Sequence, residues 1–314
     1  MTSPILSIIV ISYNTRDMTL ACLRSVVAET RTPHELIVLD NASADGSAAA
    51  IASEFPGVTL LAEAENHGFA RANNIAAKHA RGEYIVLLNP DTVVLDGALD
   101  KLLAFARRVP SAKIWGGRTI FADGSLNPTS CWRKMDLWNL FCRTTGLTGV
   151  FRNSPIFNSE AYGGWDRMTE REVDIVTGCL LLVSRADWQA LGGFDPTFFM
   201  YAEEADLCLR AHKAIGARPR ITPEAVIIHY GGASEKVRSD RYVRILRAKH
   251  ELIRRHFPAW QRPIALTLFV ANPASRSLAF GLTARLGLHP QAAEKADIWR
   301  EIWKRRAEWR KALA

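Results

Sequence analysis

Along the first half of the chain, short apolar runs alternate with segments of helical spacing. Ile5 to Ser12 is a β-branched run of the kind buried on both faces of a parallel sheet. Residues 17–28 put Leu20, Leu23, Val26 and Val27 on one side, which predicts a helix. Glu35 to Leu39 predicts a second strand, and after the turn-rich DNASADGS a helix should begin near Ser47. Val58 to Leu61 predicts a third strand, Phe69 to Ala80 a helix, and Glu83 to Leu88 a fourth strand that runs straight into Asn89-Pro90-Asp91. Asp96 is expected to cap a helix through Arg107, and Lys113 to Trp115 to open a further strand.

Repeated strand–helix–strand units imply a mostly parallel sheet with right-handed crossovers, and ligands of such sheets sit beyond the carboxyl ends of the strands. Asp40, Asn66 and Asp91 all fall just after predicted strands, so they should meet in one crevice. Each alone would pass as a solvated turn residue; three successive turns carrying them call for more. Residues 120–172 have no clear period and are rich in Trp, Phe, Arg, Gly and Asn, which reads as an excursion over the site, a lid or acceptor wall. Strand character returns over Glu172 to Val183 around Gly178, a helix is expected over 203–214, a strand over Ala225 to Ile228, and helices beyond Asp240.

Composition narrows the class. Nearly half of the 314 residues are apolar, enough for a large α/β core. The five cysteines, Cys22, Cys131, Cys142, Cys179 and Cys208, form no CxxC pair, which argues against a zinc ribbon or thioredoxin motif and for buried reduced thiols. The opening run lacks a basic flank and reads as a strand rather than a signal, and Pro263 to Ser275 is too short an apolar run to span a bilayer. The net charge of +8 is uneven: residues 241–314 hold 16 Lys/Arg against 5 Asp/Glu, and 1–240 hold 24 against 27.

Four constellations carry chemistry. Asn89-Pro90-Asp91 ends an apolar strand, where a carboxylate can ligate a divalent cation and leave coordination sites for a diphosphate, although NPD is also ordinary turn chemistry. Asp40 follows the second strand, where it could accept a hydrogen bond from a pyrimidine N–H, while Asp45-Gly46-Ser47 reads as a turn and helix cap. Glu203, Glu204 and Asp206 open a helix behind Phe198-Phe199-Met200-Tyr201. Acidic residues suit any helix start, but against an aromatic wall a carboxylate can be tuned as a general base. His229 ends the strand AVII before Gly231-Gly232; a lone His is usually structural, yet this placement suits a ligand.

In order, SIIVISYNTRD, LIVLDNASADGS, ENHGFARANNIA, YIVLLNPDT, VDIVTGCLLLVSRADWQALGGFD, FFMYAEEADLCLR and VIIHYGGAS resemble the family 2 glycosyltransferases of GT-A fold, in the rhamnosyltransferase-like branch. The likeness covers about residues 5–235. It implies a nucleotide-sugar and acceptor domain over 1–240, with its donor half at 1–118 and its acceptor and catalytic half at 119–240, ahead of a basic helical extension at 241–314. It also implies an inverting transfer from a dTDP-rhamnose-like or UDP-sugar donor to a glycan or lipid-linked acceptor in cell-surface polysaccharide synthesis. Ser12, Tyr13 and Asn14 would line the nucleotide pocket beside Asp40; Asn66, Gly68, Phe69 and Asn73 match the donor loop and helix; Arg71 would contact phosphate. Asp91 and His229 would hold Mg²⁺ or Mn²⁺ beside Asn89, and Glu204 would be the base, with Glu203 and Asp206 positioning acceptor or helix. Position 89 is Asn where many members have Asp, one charge fewer. The pair 203–204 reads Glu-Glu where the branch usually has Glu-Asp, and one methylene shifts a carboxylate by about 1.5 Å, so both glutamates stand as candidate bases.

The expected last helix, 291–313, carries Trp299, Ile302, Trp303, Trp309 and Leu313 on one side and Lys304, Arg305 and Lys311 towards the other. Tryptophan with basic residues suits an anionic membrane surface, which with the lack of a spanning run implies a cytoplasmic protein held peripherally on the inner face. Docking on the catalytic domain or a second subunit is the competing reading; no nucleic-acid fold is encoded. The alternatives to a glycosyltransferase are a sugar nucleotidyltransferase, disfavoured because no Gly-rich basic loop for a triphosphate opens the chain, and a non-catalytic glycan-binding relative.

Overall fold

The computed structural model describes residues 3–231, 238–287, 290–311 and 313. The seven residues of β1 (Leu6–Ser12) are all buried, the fate of an apolar β-branched run covered on both faces. The chain then alternates through α1 (Arg16–Glu29), β2 (His34–Asn41), α2 (Ser47–Glu54), β3 (Thr59–Glu63), α3 (Gly68–Ala77), β4 (Tyr84–Leu88), β5 (Thr92–Val94), α4 (Ala98–Arg108) and β6 (Ile114–Ile120). The two-residue β7 (Cys131–Trp132) precedes α5 (Leu137–Thr145) and α6 (Leu147–Val150). Next come β8 (Arg171–Glu172), β9 (Ile175–Val176), β10 (Leu180–Ser184), α7 (Arg185–Ala190), α8 (Glu203–Ile215) and β11 (Arg220–His229). The helices α9 (Arg238–His256), α10 (Arg262–Arg285), α11 (Ala292–Lys304) and α12 (Arg306–Trp309) follow.

These elements group into two units: 1–132 with 166–199 and 203–234, and 133–165 with 200–202 and 235–314. In the first, a mixed sheet runs β3-β2-β1-β4-β10-β6-β11-β5, with β8 beside β11. The strands β3, β2, β1 and β4 are parallel and in register, so that Ser12 lies beside Asp40 and Val10 beside Leu88. β10 runs antiparallel to β4 and β6, and β5 and β8 antiparallel to β11. The core under the sheet joins Leu6, Ile8 and Val10 of β1 to Leu20 and Leu23 of α1 and to Leu102 and Phe105 of α4. Each such side chain contributes roughly 1.5–3 kcal/mol by leaving water. In β6, Gly117 is required by contact: a Cβ there would lie 2.2 Å from the Ala225 carbonyl oxygen, where the β6–β11 register shifts.

Three local expectations change. Asp96 is not the cap of α4; Gly97 takes that position at φ 65°, while Asp96 accepts a hydrogen bond from Lys101 Nζ at 2.6 Å. Asn89-Pro90-Asp91 leads into β5, a strand that the hydropathy pattern does not predict because three residues show no period. The tail helix ends at Lys304, and α12 begins again at Arg306.

In the second unit, Leu140 of α5 packs with Val243, Ile253, Phe269, Ile302 and Trp309 of α9 to α12. The excursion 133–165, which has no period of its own, is tied into this unit by a buried Glu160 between Arg143 and Lys249, at 2.5 and 2.6 Å. No helix among the described residues is long and apolar enough to cross a membrane.

Candidate functional site

The carboxyl ends of β1, β2 and β4 meet at one edge of the first unit. Asp40, nearly closed off from solvent, accepts the Ser43 N–H at 3.1 Å through Oδ2, and its buried Oδ1 has no hydrogen-bond partner among the described residues. The loops around it are stitched together: Asn14, at φ 53°, donates its N–H to Ser43 Oγ and accepts from the Ala44 N–H, and Asp45 accepts the Arg16 N–H. Tyr13 is half-buried beside them. Ser12 turns the other way; its hydroxyl is within 3.0 Å of Thr19 Oγ1, so it anchors the start of α1 rather than opening to a ligand.

The donor loop has its own scaffold. Asn41 donates to Asn66 Oδ1 at 2.9 Å and accepts the His67 N–H, and Asn66 in turn accepts the Gly68 N–H. Gly68 sits at φ 73°, and a Cβ there would come within 2.3 Å of the Phe199 carbonyl oxygen, which accepts the Phe69 N–H. This bond ties the segment ahead of α8 to the N-terminus of α3. Asn73 is buried and donates to the Phe69 carbonyl, a support for the loop. Arg71 is exposed and lines a shallow hollow of about 600 Å³ with Asn74, Lys78 and Trp188.

At the next strand end, His229 closes β11 opposite Thr92. Its Nε2 lies 3.5 Å from Asp91 Oδ1 and 3.4 Å from Asn89 Nδ2. Asn127 holds the His229 backbone carbonyl at 3.0 Å, and the Tyr230 N–H is bound by the Asp91 carbonyl. Burial works to lower the imidazole pKa, but the Cys179 sulfur and the Asp91 carboxylate outweigh it and raise it to about 10. The buried Asn89 Oδ1 also has no hydrogen-bond partner among the described residues. Among those residues no three of His, Cys, Asp and Glu gather as a metal cage. Asp91 Oδ1, His229 Nε2 and the unpartnered Asn89 Oδ1 are oxygen and nitrogen donors of the kind that a divalent ion accepts as part of its ligand set. The continuation Gly232-Ala233-Ser234 lies outside the described residues.

The carboxylates of α8 divide by surroundings. Glu203 is buried, and burial first, then the neighbouring Glu204, hold its pKa well above the ordinary carboxylate value. Asp206 accepts from Arg210 at 2.6 Å, and Arg210 also donates to the Leu191 and Gly193 carbonyls, which makes this pair a fastening of the helix to the preceding loop. The five cysteines are buried and unpaired.

Asn41, Asn127 and Cys179 are the contributors that spacing did not single out. Asn41 stood in the DNASADGS turn but was passed over for Asp40; Asn127 lies in the aperiodic excursion; Cys179 read as a buried thiol.

The family profile described as Glycosyl transferase family 2 matches residues 7–168. The N-acetylglucosaminyl-diphospho-decaprenol L-rhamnosyltransferase of Mycobacterium tuberculosis is 27% identical over 289 residues, 84% of this chain and 89% of that protein. The rhamnosyltransferase WbbL of Escherichia coli is 30% identical over 174 residues, 52% of this chain and 61% of that protein. A mannosyltransferase from Pyrobaculum calidifontis, solved with GDP-Man and Mn²⁺, superposes with a TM-score of 0.57 at 20% identity, covering 98% of this chain and 87% of that one. The mixed sheet with flanking helices and a helical C-terminal region is thus the GT-A type of architecture.

Proposed function

We propose, for a chain that belongs to glycosyl transferase family 2, the inverting transfer of a deoxyhexose, rhamnose by preference, from a nucleoside diphosphate donor to a hydroxyl of a lipid-linked glycan in cell-surface polysaccharide synthesis. The observation that carries it is the cluster of Asp91, His229 and Asn89 on the same sheet whose β2 end holds Asp40 with a carboxylate oxygen that has no hydrogen-bond partner among the described residues. Both the mycobacterial and the Escherichia coli relatives are rhamnosyltransferases, which supports rhamnose, and the mycobacterial one is an N-acetylglucosaminyl-diphospho-decaprenol transferase, which supports a polyprenyl-diphosphate acceptor.

Asp40 would receive the base N–H, and the Asn41–Asn66–Gly68 lattice would hold the loop along the donor. Asp91 and His229, with Asn89, would hold Mg²⁺ or Mn²⁺, whose chemistry is to neutralise the departing diphosphate. Glu204, less buried than its neighbour Glu203, would serve as the carboxylate base. As the acceptor oxygen bonds to the anomeric carbon from the face opposite the diphosphate, its proton passes to Glu204. The bond from that carbon to the diphosphate oxygen breaks, and its electron pair leaves with the diphosphate. Inversion follows from the single displacement. Asp206 positions the helix through Arg210 and does not touch the reacting atoms in this scheme.

Titration calorimetry with dTDP-rhamnose and UDP-sugars, with and without Mn²⁺, tests the reading, alongside product analysis by NMR. Metal-dependent binding of dTDP-rhamnose, an inverted anomeric centre and loss of turnover in Asp91→Ala are expected. Full activity in excess EDTA would refute the metal assignment, and binding without turnover of any donor would leave a glycan-binding scaffold.

A further inference from the structure

The last-helix tryptophans do not form the free face that the sequence suggested: Ile302 and Trp309 are buried in the second unit's core, and Trp299 packs on Tyr242 at 5.4 Å. A different apolar face is open. On α5, Trp138 and Phe141 stack at 5.8 Å and are 45% and 41% exposed. Phe157 links Trp138 to Phe151, which is 45% exposed, and Val150 and Ile156 extend the surface at 75% and 61%. The opposite side of α5 enters the core through Leu140. Soluble helices ordinarily turn polar residues outward, and a continuous apolar patch of this kind marks a contact surface.

We propose that this face of α5 and the turn after α6 seats on an anionic phospholipid bilayer. Its chemistry separates a bilayer from other occupants. The Trp138 Nε1–H is already given to the Ile156 carbonyl at 2.9 Å, so the indole keeps no donor for sugar hydroxyls. Aliphatic Val150 and Ile156 beside Trp and Phe suit the boundary between acyl chains and headgroups. Arg152, next in the chain to Phe151 and exposed, adds a positive charge to this region, its Nε donating to the Gly149 carbonyl at 3.2 Å. The unit that carries the face holds 22 Lys/Arg against 9 Asp/Glu, whereas the other holds 18 against 23. Two copies pressed together on this unit would repel, and an acidic membrane attracts it. The proposal deepens the lipid-linked acceptor reading above and rests on it for purpose, but its test needs neither donor nor turnover.

Flotation of the full chain with phosphatidylglycerol vesicles and with phosphatidylcholine vesicles, at low and high salt, is the test. Wild-type protein should float with the anionic vesicles at low salt and far less with the neutral ones. Phe151→Glu with Ile156→Glu should cut the bound fraction at least about tenfold, since two apolar groups are lost and two negative charges face an acidic surface. Val150→Asp, at the most exposed position, should weaken it in the same direction, and Trp303→Ala in α11 should leave it unchanged. Melting temperatures equal to wild type show that the variants are folded. Absence of wild-type flotation on anionic vesicles, or variants that float like wild type, overturns the proposal. So does a wild-type dimer that ignores vesicles and becomes a monomer in Phe151→Glu, because a second copy then occupies the face.

Discussion

Glu203 and Glu204 are neighbours of one residue type in different surroundings, the first buried and the second half-buried. Burial of Glu203 disfavours its charged form, and the adjacent Glu204 adds to this, so its folded pKa lies above its unfolded one. A carboxyl raised in this way contributes its stability below the ordinary value of 4.5 and loses it as pH rises through the folded pKa. Glu203→Gln removes that loss. Its melting temperature should gain on wild type as pH is raised from about 5 to about 8, a trend that differential scanning calorimetry reads directly. Glu204→Gln should keep donor affinity and lower kcat by roughly 10²- to 10⁴-fold, the usual worth of a general base. Should Glu203→Gln show the kcat loss and Glu204→Gln retain activity, the base is Glu203. The acidic start of α8 was legible in FFMYAEEAD; which member is the more buried was not, because burial is a property of the packed helix.

At the scale of elements, strand ends were the most readable feature. Apolar β-branched runs end where the chain meets water, so Asp40, Asn66 and Asp91 could be put at the sheet's edge from the sequence. Strand direction was not readable: β10 is as apolar as β4 yet runs against it, since buried runs look alike in either sense. The excursion 133–165 is held in its unit both by α5, whose Leu140 joins the core, and by an ion cluster. Between Arg143 and Lys249, Glu160 is held down to about 2, although burial alone would raise it. A carboxylate depressed in this way contributes stability above its ordinary value of 4.5 and loses it as pH falls towards about 2. Glu160→Gln leaves two cations without their shared partner, and at neutral pH it should cost about 3–5 kcal/mol, the usual result of breaking a buried pair. Urea unfolding should show the gap between wild type and variant closing as pH drops through that window. A gap that stays constant with pH would mean that the cost is one of shape rather than charge.

For the molecule as a whole, nucleotide and metal should act as one ligand. Asp91, His229 and Asn89 offer a cation too few ligands for tight binding without a diphosphate, so Mn²⁺ alone and dTDP alone should each raise the melting temperature little. Together at about a hundred times their joint Kd they should add about 2.7 kcal/mol, read as a thermal shift that Asp91→Ala abolishes. An equal shift with dTDP alone would detach nucleotide binding from the metal pocket. The sequence by itself determined the α/β class, the strand ends that bear Asp40 and Asp91, the acidic start of α8 and the excess of positive charge towards the C-terminus. These depend on period, on turn chemistry and on counting, all of which are local or additive. Only the tertiary structure decided that Ser12 is buried against Thr19, that Asn127 holds the His229 backbone, and that Ile302 and Trp309 face inward while Trp138 and Phe151 face out. Those outcomes depend on which surfaces of distant segments cover one another, and an apolar side chain carries no mark in the sequence of whether its cover is the core or something outside the chain.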